Sequence, residues 1–400
     1  MSGSRVSTAT VFSQSTTQIL RQQSQVARAQ LELSSGRKII TAKDDPVAAG
    51  IAETLDRSLA EINRWGANAN LATNRLQREE EAIRQVGLRV QRLRELAVQS
   101  NNGIQSPQSL SGLVVEMRQI REDLVQLANT SDGLGRYLFG GTLDGSPPFV
   151  KDAAGAVTYV GDQNQRFIEI GPETLVADGD PGSEVFQRIK SGDGTITLGQ
   201  GANTGTAYFT SSGFIDRSQW DGGSYQIDFL NGDYTITDTI NNVAIATGTY
   251  VEGEAITFRG VQLTFAGTPA DGDSFTVVPS PARDIFTVVD SLIATVEAPT
   301  NDQNERSIRQ NQFYFAFQDL QQVGDWVSDR RAAIGSRLNT LERSADQRLA
   351  EDEGLRKSLS ELRDTNFAEA ISRLAYQLQT LEAAQKSFTQ VQRLSLFNYL

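Results

Sequence analysis

Cysteine and histidine are both missing from this 400-residue chain. Without cysteine there is no disulfide, no thiolate nucleophile and no sulfur-ligated metal. Without histidine the commonest general base and the commonest metal ligand are gone. An enzyme built on this chain would have to run on carboxylates alone, so a non-enzymatic protein without cofactor or metal is expected. Long hydrophobic runs are missing too. No stretch of about 18 apolar residues occurs, which argues against membrane insertion. The first 28 residues lack an apolar segment followed by a cleavage site, so no cleavable secretory signal is expected. Basic excess is also missing. The net charge is −12, and it is concentrated: residues 143–280 carry 18 acidic and 6 basic side chains, while the rest of the chain balances to zero. An acidic middle disfavours nucleic acid as a partner, and neutral, charge-mixed flanks suit surfaces that pack on copies of themselves.

What the flanks do contain is helical periodicity. Phe12, Ile19, Val26 and Leu33 fall seven apart, supported by Leu20, Ala27 and Leu31. This is a thin stripe that would make only a marginal helix alone. Gly36 then stops it, and Asp45 before Pro46 predicts a helix start. From there Ile62, Ala69, Leu76, Ile83, Val90 and Ala97 recur every seven residues, with Trp65, Ala72, Val86 and Leu93 between them and only Glu79 breaking the seam. Leu110 to Leu127 predicts another helix, ending near Ser131.

After Pro147-Pro148 the period changes to two. Val157–Val160, Arg166–Ile170, Tyr225–Phe229, Tyr234–Thr237, Val243–Ala246, Ile256–Phe258, Val261–Phe265 and Phe275–Val278 predict strands, with Asn231-Gly232 as a hairpin turn. Residues 191–206, rich in Gly, Thr and Asn, predict a loop. A short helix follows over Ile285–Val296. No proline interrupts 301–400, which predicts one long helix with a kink near Gly324 or Gly354. Near the chain end, Ile371, Leu374, Leu378, Leu381, Ala384, Phe388, Val391 and Leu394 lie three and four apart, and Leu396, Phe397 and Leu400 close the sequence. An apolar final helix needs a cover, and the N-terminal stripe together with neighbouring copies would supply it.

The expected fold is therefore mainly α with an inserted β domain: a long antiparallel helical rod formed by N- and C-terminal segments, with a β-rich outer domain in the middle. Catalytic constellations are scarce. Gly133-Leu134-Gly135 and Gly140-Gly141 lack the spacing of a dinucleotide fingerprint. Asp178-Gly179-Asp180 and Asp271-Gly272-Asp273 lack the spacing of a calcium loop and predict turns. Asp44-Asp45 predicts a helix cap before an acid–base pair.

Three stretches carry a family resemblance. Leu33-Ser34-Ser35-Gly36-Arg37-Lys38-Ile39 with Asp44-Asp45-Pro46-Val47-Ala48-Ala49 is one. Tyr137-Leu138-Phe139-Gly140-Gly141-Thr142 is another. The third is the ending from Ala383-Ala384-Gln385 to Phe397-Asn398-Tyr399-Leu400. With these the chain resembles the flagellin superfamily of bacteria over about 1–145 and 281–400, and its ending resembles the hook–filament junction proteins within it. Gly267–Phe275 is similar to a phrase of hook-associated proteins.

The resemblance implies a structural subunit joining the hook, through another hook-associated protein, to the flagellin filament. It implies copies of itself in a ring or short helical layer as partners. It also implies secretion unfolded through the flagellar type III export apparatus, with an export chaperone, to the extracellular junction. On this scheme 1–43 and 359–400 are the two parts of the inner assembly helices, 44–146 and 281–358 the two parts of the rod, and 147–280 the acidic outer domain. The assembly interface is expected at Phe12, Ile19, Val26, Leu33, Ile371, Leu374, Leu378, Leu381, Phe388, Val391, Leu394, Leu396, Phe397 and Leu400. The alternative within the family is the flagellin filament subunit itself. Outside it stand a carbohydrate-active enzyme with two converging carboxylates and a coiled-coil adhesin.

Overall fold

The computed structural model describes residues 8–103 and 105–397, with side chains placed at Thr10 and from Phe12 to Gln390. The N-terminal helices are α1 (Thr8–Ser35), α2 (Pro46–Ser100) and α3 (Pro107–Ala128). Among the described residues fourteen strands follow: β1 (Phe149–Lys151), β2 (Val157–Tyr159), β3 (Phe167–Gly171), β4 (Thr174–Ala177), β5 (Ile189–Lys190), β6 (Ile196–Gln200), β7 (Tyr208–Phe214), β8 (Tyr225–Leu230), β9 (Asp233–Asp238), β10 (Val243–Thr249), β11 (Ala255–Phe258), β12 (Val261–Ala266), β13 (Ser274–Pro279) and β14 (Ala282–Arg283). The chain ends with α4 (Ile285–Glu297), α5 (Gln303–Arg363) and α6 (Phe367–Phe397). It is mainly helical with a β-rich middle. Two units separate: Met1–Ala67 with Ser344–Leu400, and Asn68–Arg343.

The larger unit has two cores. The first buries the α2 seam from Ala69 to Ala97 against α3, α4 and α5, because seven-residue spacing keeps those side chains on one side of the helix. Phe139, Phe149, Phe186 and Phe286 extend it in a cluster of edge-to-face and stacked rings. The second core lies between a five-stranded sheet, ordered β10-β9-β8-β13-β6, and a three-stranded sheet, β11-β12-β7. Every pairing in both sheets is antiparallel. The β8–β9 turn places Asn231 and Gly232 at φ +55° and +82°, the left-handed pair that a tight hairpin requires.

Helix α5 closes one side of this β structure. Asn311, almost fully buried, accepts from the Phe209 N–H of β7 at 2.8 Å and donates Nδ2 to the Gln200 side chain of β6 at 2.6 Å. Asn304 Nδ2 donates to the Asn203 and Gly205 carbonyls, and Asp319 accepts the Gly192 N–H at 2.8 Å.

Several expectations change. Residues 191–206 are not a loop throughout: β6 pairs with β13, and its Ile196 and Leu198 alternate into the core. Gly199 is there for room, since a Cβ would lie 2.5 Å from Thr276 Oγ1. Strand β7 and the short β1, β4, β5 and β14 were not expected either. The C-terminal hundred residues break at Asp364–Asn366, not at Gly324 or Gly354, both of which lie inside α5. The break is fixed from outside the helix: the Thr365 N–H donates to the Gly36 carbonyl at 2.9 Å, and Asn366 Oδ1 receives the Glu369 N–H to start α6.

Candidate assembly interface

The smaller unit is organised at the end of α1. Gly36, at φ +68°, terminates that helix in the left-handed region where a Cβ is costly. The following residues run beside the end of α5. The Lys38 N–H donates to the Arg363 carbonyl at 2.9 Å, and Lys38 Nζ donates to the Glu361 carbonyl at 2.8 Å. Asp44 and Asp45 divide the work of the next turn. Asp44 accepts from the Thr41 and Ile40 N–H groups, and these backbone bonds, helped by Arg28 at 2.6 Å, hold its carboxyl below the usual range. Asp45 Oδ1 accepts from Val47 and Ala48, capping α2. This acidic pair is a turn and a cap.

Helices α1 and α6 run antiparallel. At one end Arg373 Nη2 donates to both oxygens of Glu32 at 2.6 Å. At the other the rings of Phe12 and Phe388 approach to 5.1 Å. Between them Val26 and Ala29 are buried on α1, and Ala370 is buried on α6 one turn before Arg373. Ile19, Leu33, Leu374, Leu381, Ala384 and Phe388 are half-buried along the same seam. The α6 seam steps 370, 374, 377, 381, 384 and 388, a four-three repeat.

The structure separates what the sequence merged. Ile371 and Leu378 do not lie in this seam. They form a second line with Phe367, at spacings of four and seven, and are 56%, 44% and 54% exposed. On α1, Leu20, Ala27 and Leu31 likewise sit on a second, exposed face and do not support the Phe12 stripe. The α1–α6 pair thus carries one apolar seam that it covers itself and another that it leaves open. The Glu32–Arg373 pair that ties α1 to α6 and the exposed Phe367 beside Ile371 were missed; the 367-371-378 spacing was the available signal. Leu400 lies outside the described residues, as do the side chains of Val391, Leu394, Leu396 and Phe397.

Apolar burial in this unit is thin. Among the described residues it comes down to Val26, Ala29, Ala48, Ala52, Leu59, Ile62, Trp65 and Ala370, four of them alanine. A groove of about 490 Å³ beside Arg28, Glu32, Asp44 and Arg373 is polar and internally paired. No cluster of three or more metal-ligating side chains occurs among the described residues, and no described helix is long and apolar enough to cross a membrane. The Asp-Gly-Asp segments bind protein groups: Asp178 pairs with Arg166, Asp180 with Arg337, Asp273 accepts from Thr204, Gly205 and Ala270, and Asp271 from Asn231.

Terminal helices that pair with each other yet leave an apolar line open, joined to a helical unit with a β insertion, define a flagellin-type assembly subunit. The family described as bacterial flagellin N-terminal helical region matches residues 6–144, and the D2-like domain of flagellar hook-associated protein 1 matches 198–279. The crystal structure of FlgL from Xanthomonas campestris is 38% identical, with a TM-score of 0.71 over 76% of this chain and 99% of that one. Flagellar hook-associated protein 3 of Escherichia coli is 24% identical over 98% of both chains. Its namesake from Salmonella typhimurium is 28% identical over 47% of this chain, and that match spans only 58% of the Salmonella protein. The chain belongs to the FlgL family.

Proposed function

We propose that this chain is a structural adaptor of the bacterial flagellum. It seats on another hook-associated protein on the hook side, offers a surface to flagellin on the filament side, and packs against copies of itself in a ring or short helical layer. The open apolar line of Phe367, Ile371 and Leu378, beside a terminal unit with little core of its own, is the observation that carries this reading. Such a surface is stable when a neighbour covers it. On this reading 1–43 with 359–400 are the inner assembly helices and Phe12, Ile19, Val26, Leu33, Leu374, Leu381 and Phe388 the seam that orders them. Segments 44–146 and 281–358 form a long antiparallel rod, and 147–280 is the outer domain.

Contacts of this kind are heterologous, one surface against a different one, and so build rings or helices. The role asks for no catalysis. The chain reaches the flagellum unfolded through the export apparatus, escorted by a chaperone, and its terminal helices gain their final order on assembly, as segments that fold on binding do. The alternative, a filament subunit, shares the N-terminal helical region; the relatives named hook-associated protein 3 favour the junction.

The test is electron microscopy of cells lacking this chain, with the medium assayed for flagellin. Bare hooks and flagellin lost to the medium are expected of an adaptor. Bare hooks with no major flagellin in cells or medium would make this chain the filament itself, and normal filaments would refute both.

A further inference from the structure

We propose that the Asn68–Arg343 unit has two complementary ends, and that the β3–β4 hairpin of one chain docks in a groove bounded by α3, α4 and the start of α5 on a second copy. The proposal rests on the adaptor reading and names a contact that it would use.

The groove measures about 1060 Å³. Val115, Val296 and Pro299 give it an apolar lining, and Val115 is 68% exposed although it sits mid-helix. Arg118, Arg306 and Arg309 also line it. Arg118 is held by Glu297 at 2.8 Å. Arg306 Nε donates to the Thr300 carbonyl at 3.3 Å. The nearby acids are engaged at the start of α5: Asp302 accepts from the Glu305 N–H, and Glu305 accepts from the Asn301 N–H. Among the described residues no carboxylate pairs with Arg309. Burial, and then repulsion from Arg306, hold its guanidinium below the ordinary value. Two like charges beside apolar surface are unfavourable until a carboxylate arrives from elsewhere.

The hairpin offers that chemistry. Phe167 pairs with Ala177 and Glu169 with Leu175, so Phe167 and Leu175 share a face. They are 57% and 62% exposed. Glu173 stands exposed in the turn, and among the described residues no cation pairs with it. An acidic, apolar ridge thus matches a basic, apolar groove, in a chain whose β-rich middle holds all the excess negative charge.

One chain cannot satisfy itself. Asn68 Nδ2, within α2, holds the hairpin at the Glu169 carbonyl, 2.8 Å away, whereas the groove is lined by Ser100 at the C-terminal end of that helix. The 32 residue steps from one to the other span about 48 Å of helix. The contact therefore runs between copies, head to tail.

Because the chain has no cysteine, Leu175→Cys and Val115→Cys each introduce a single thiol. Full-length chains carrying one change each are mixed under assembly conditions and oxidised. With one thiol per chain no bond within a chain is possible, and a bond between chains needs Cα atoms within about 7 Å of each other. The expected product is a dimer of one chain of each kind. Arg309→Glu in the Val115→Cys chain should lower its yield about fivefold or more, and Glu173→Arg in the other chain should restore it. A yield no higher than that of Leu175→Cys with Ile240→Cys, at an exposed turn elsewhere on the β structure, would overturn the contact. So would a yield indifferent to Arg309→Glu. Cross-linking of Leu175→Cys to a different flagellar protein only would overturn the assignment to a second copy. The adaptor reading fails separately, through normal filaments in cells lacking the chain, and a cross-link with the expected charge dependence would then still support the contact.

Discussion

The backbone N–H of Thr365 donates to the carbonyl of Gly36 at 2.9 Å, joining the break between α5 and α6 to the end of α1. Gly36 reaches that position at φ +68°, where a Cβ is strained, although a Cβ there would stand an ordinary 3.7 Å from the Phe367 ring. Gly36→Ala is therefore expected to cost about 1 kcal/mol or more through backbone conformation, without a clash. Hydrogen exchange checks it: amides of α1 and the first turns of α6 should exchange faster, with those of α2 after Asn68 unchanged.

Glu79 breaks the α2 seam and is completely buried. Its Oε1 accepts the Asp180 N–H at 3.1 Å, while Oε2 has no hydrogen-bond partner among the described residues. Burial, then the adjacent Asp180 carboxylate, push its pKa well above the usual carboxylate range, against the opposing pull of Arg337 and Arg75. A folded-state pKa above the unfolded one gives stability that is fully present below the unfolded value, near 4.5, and is lost as pH rises through the folded value. Glu79→Gln keeps the acceptor and removes the titration. Urea unfolding across pH 4–9 should show the variant gaining on the wild type as pH rises. A constant difference across that range would mean that Glu79 folds in its charged form.

Asn311 joins α5 to edges of both sheets, bonding the β7 backbone and the β6 side chain Gln200. Asn311→Ala leaves the buried Phe209 N–H without its acceptor and opens a small cavity. About 2–4 kcal/mol of lost stability is expected, from the unmet donor and the lost side-chain bonds together. Urea unfolding measures the loss, and early exchange of the Phe209 amide would locate it at the α5 contact.

The parts of this fold that could be read in advance are those set by neighbours in sequence. The α2 seam follows from its seven-residue repeat, the β8–β9 hairpin from Asn231-Gly232, and the α2 cap from Asp45-Pro46. What was missed depends on distant groups. The break at Asp364–Asn366 has neither proline nor glycine to announce it, because Gly36, more than three hundred residues earlier, sets it. Strand β6 looks like a loop because Thr197, Gly199 and Gln200 mask Ile196 and Leu198. In the terminal helices periodicity reported apolar content correctly, but Ile371 and Leu374 are too close in sequence for spacing alone to say which faces α1. That choice defines the candidate interface.

Ile371 and Leu378 lie on the open line of α6, and Leu374 and Leu381 on the seam toward α1. The two pairs therefore make different predictions. Ile371→Asp with Leu378→Asp removes little buried area within the chain, so circular dichroism and thermal unfolding of the monomer should stay within about 0.5 kcal/mol of wild type. Assembly should nevertheless fail, since two carboxylates would have to be buried unpaired against a neighbour. Leu374→Ala with Leu381→Ala should instead loosen the α1–α6 pair itself, visible as faster exchange in both helices before any assembly. Electron microscopy of filament growth in cells carrying each variant separates the outcomes. Growth sustained by the aspartate pair would show that the open line of α6 is not where neighbours pack.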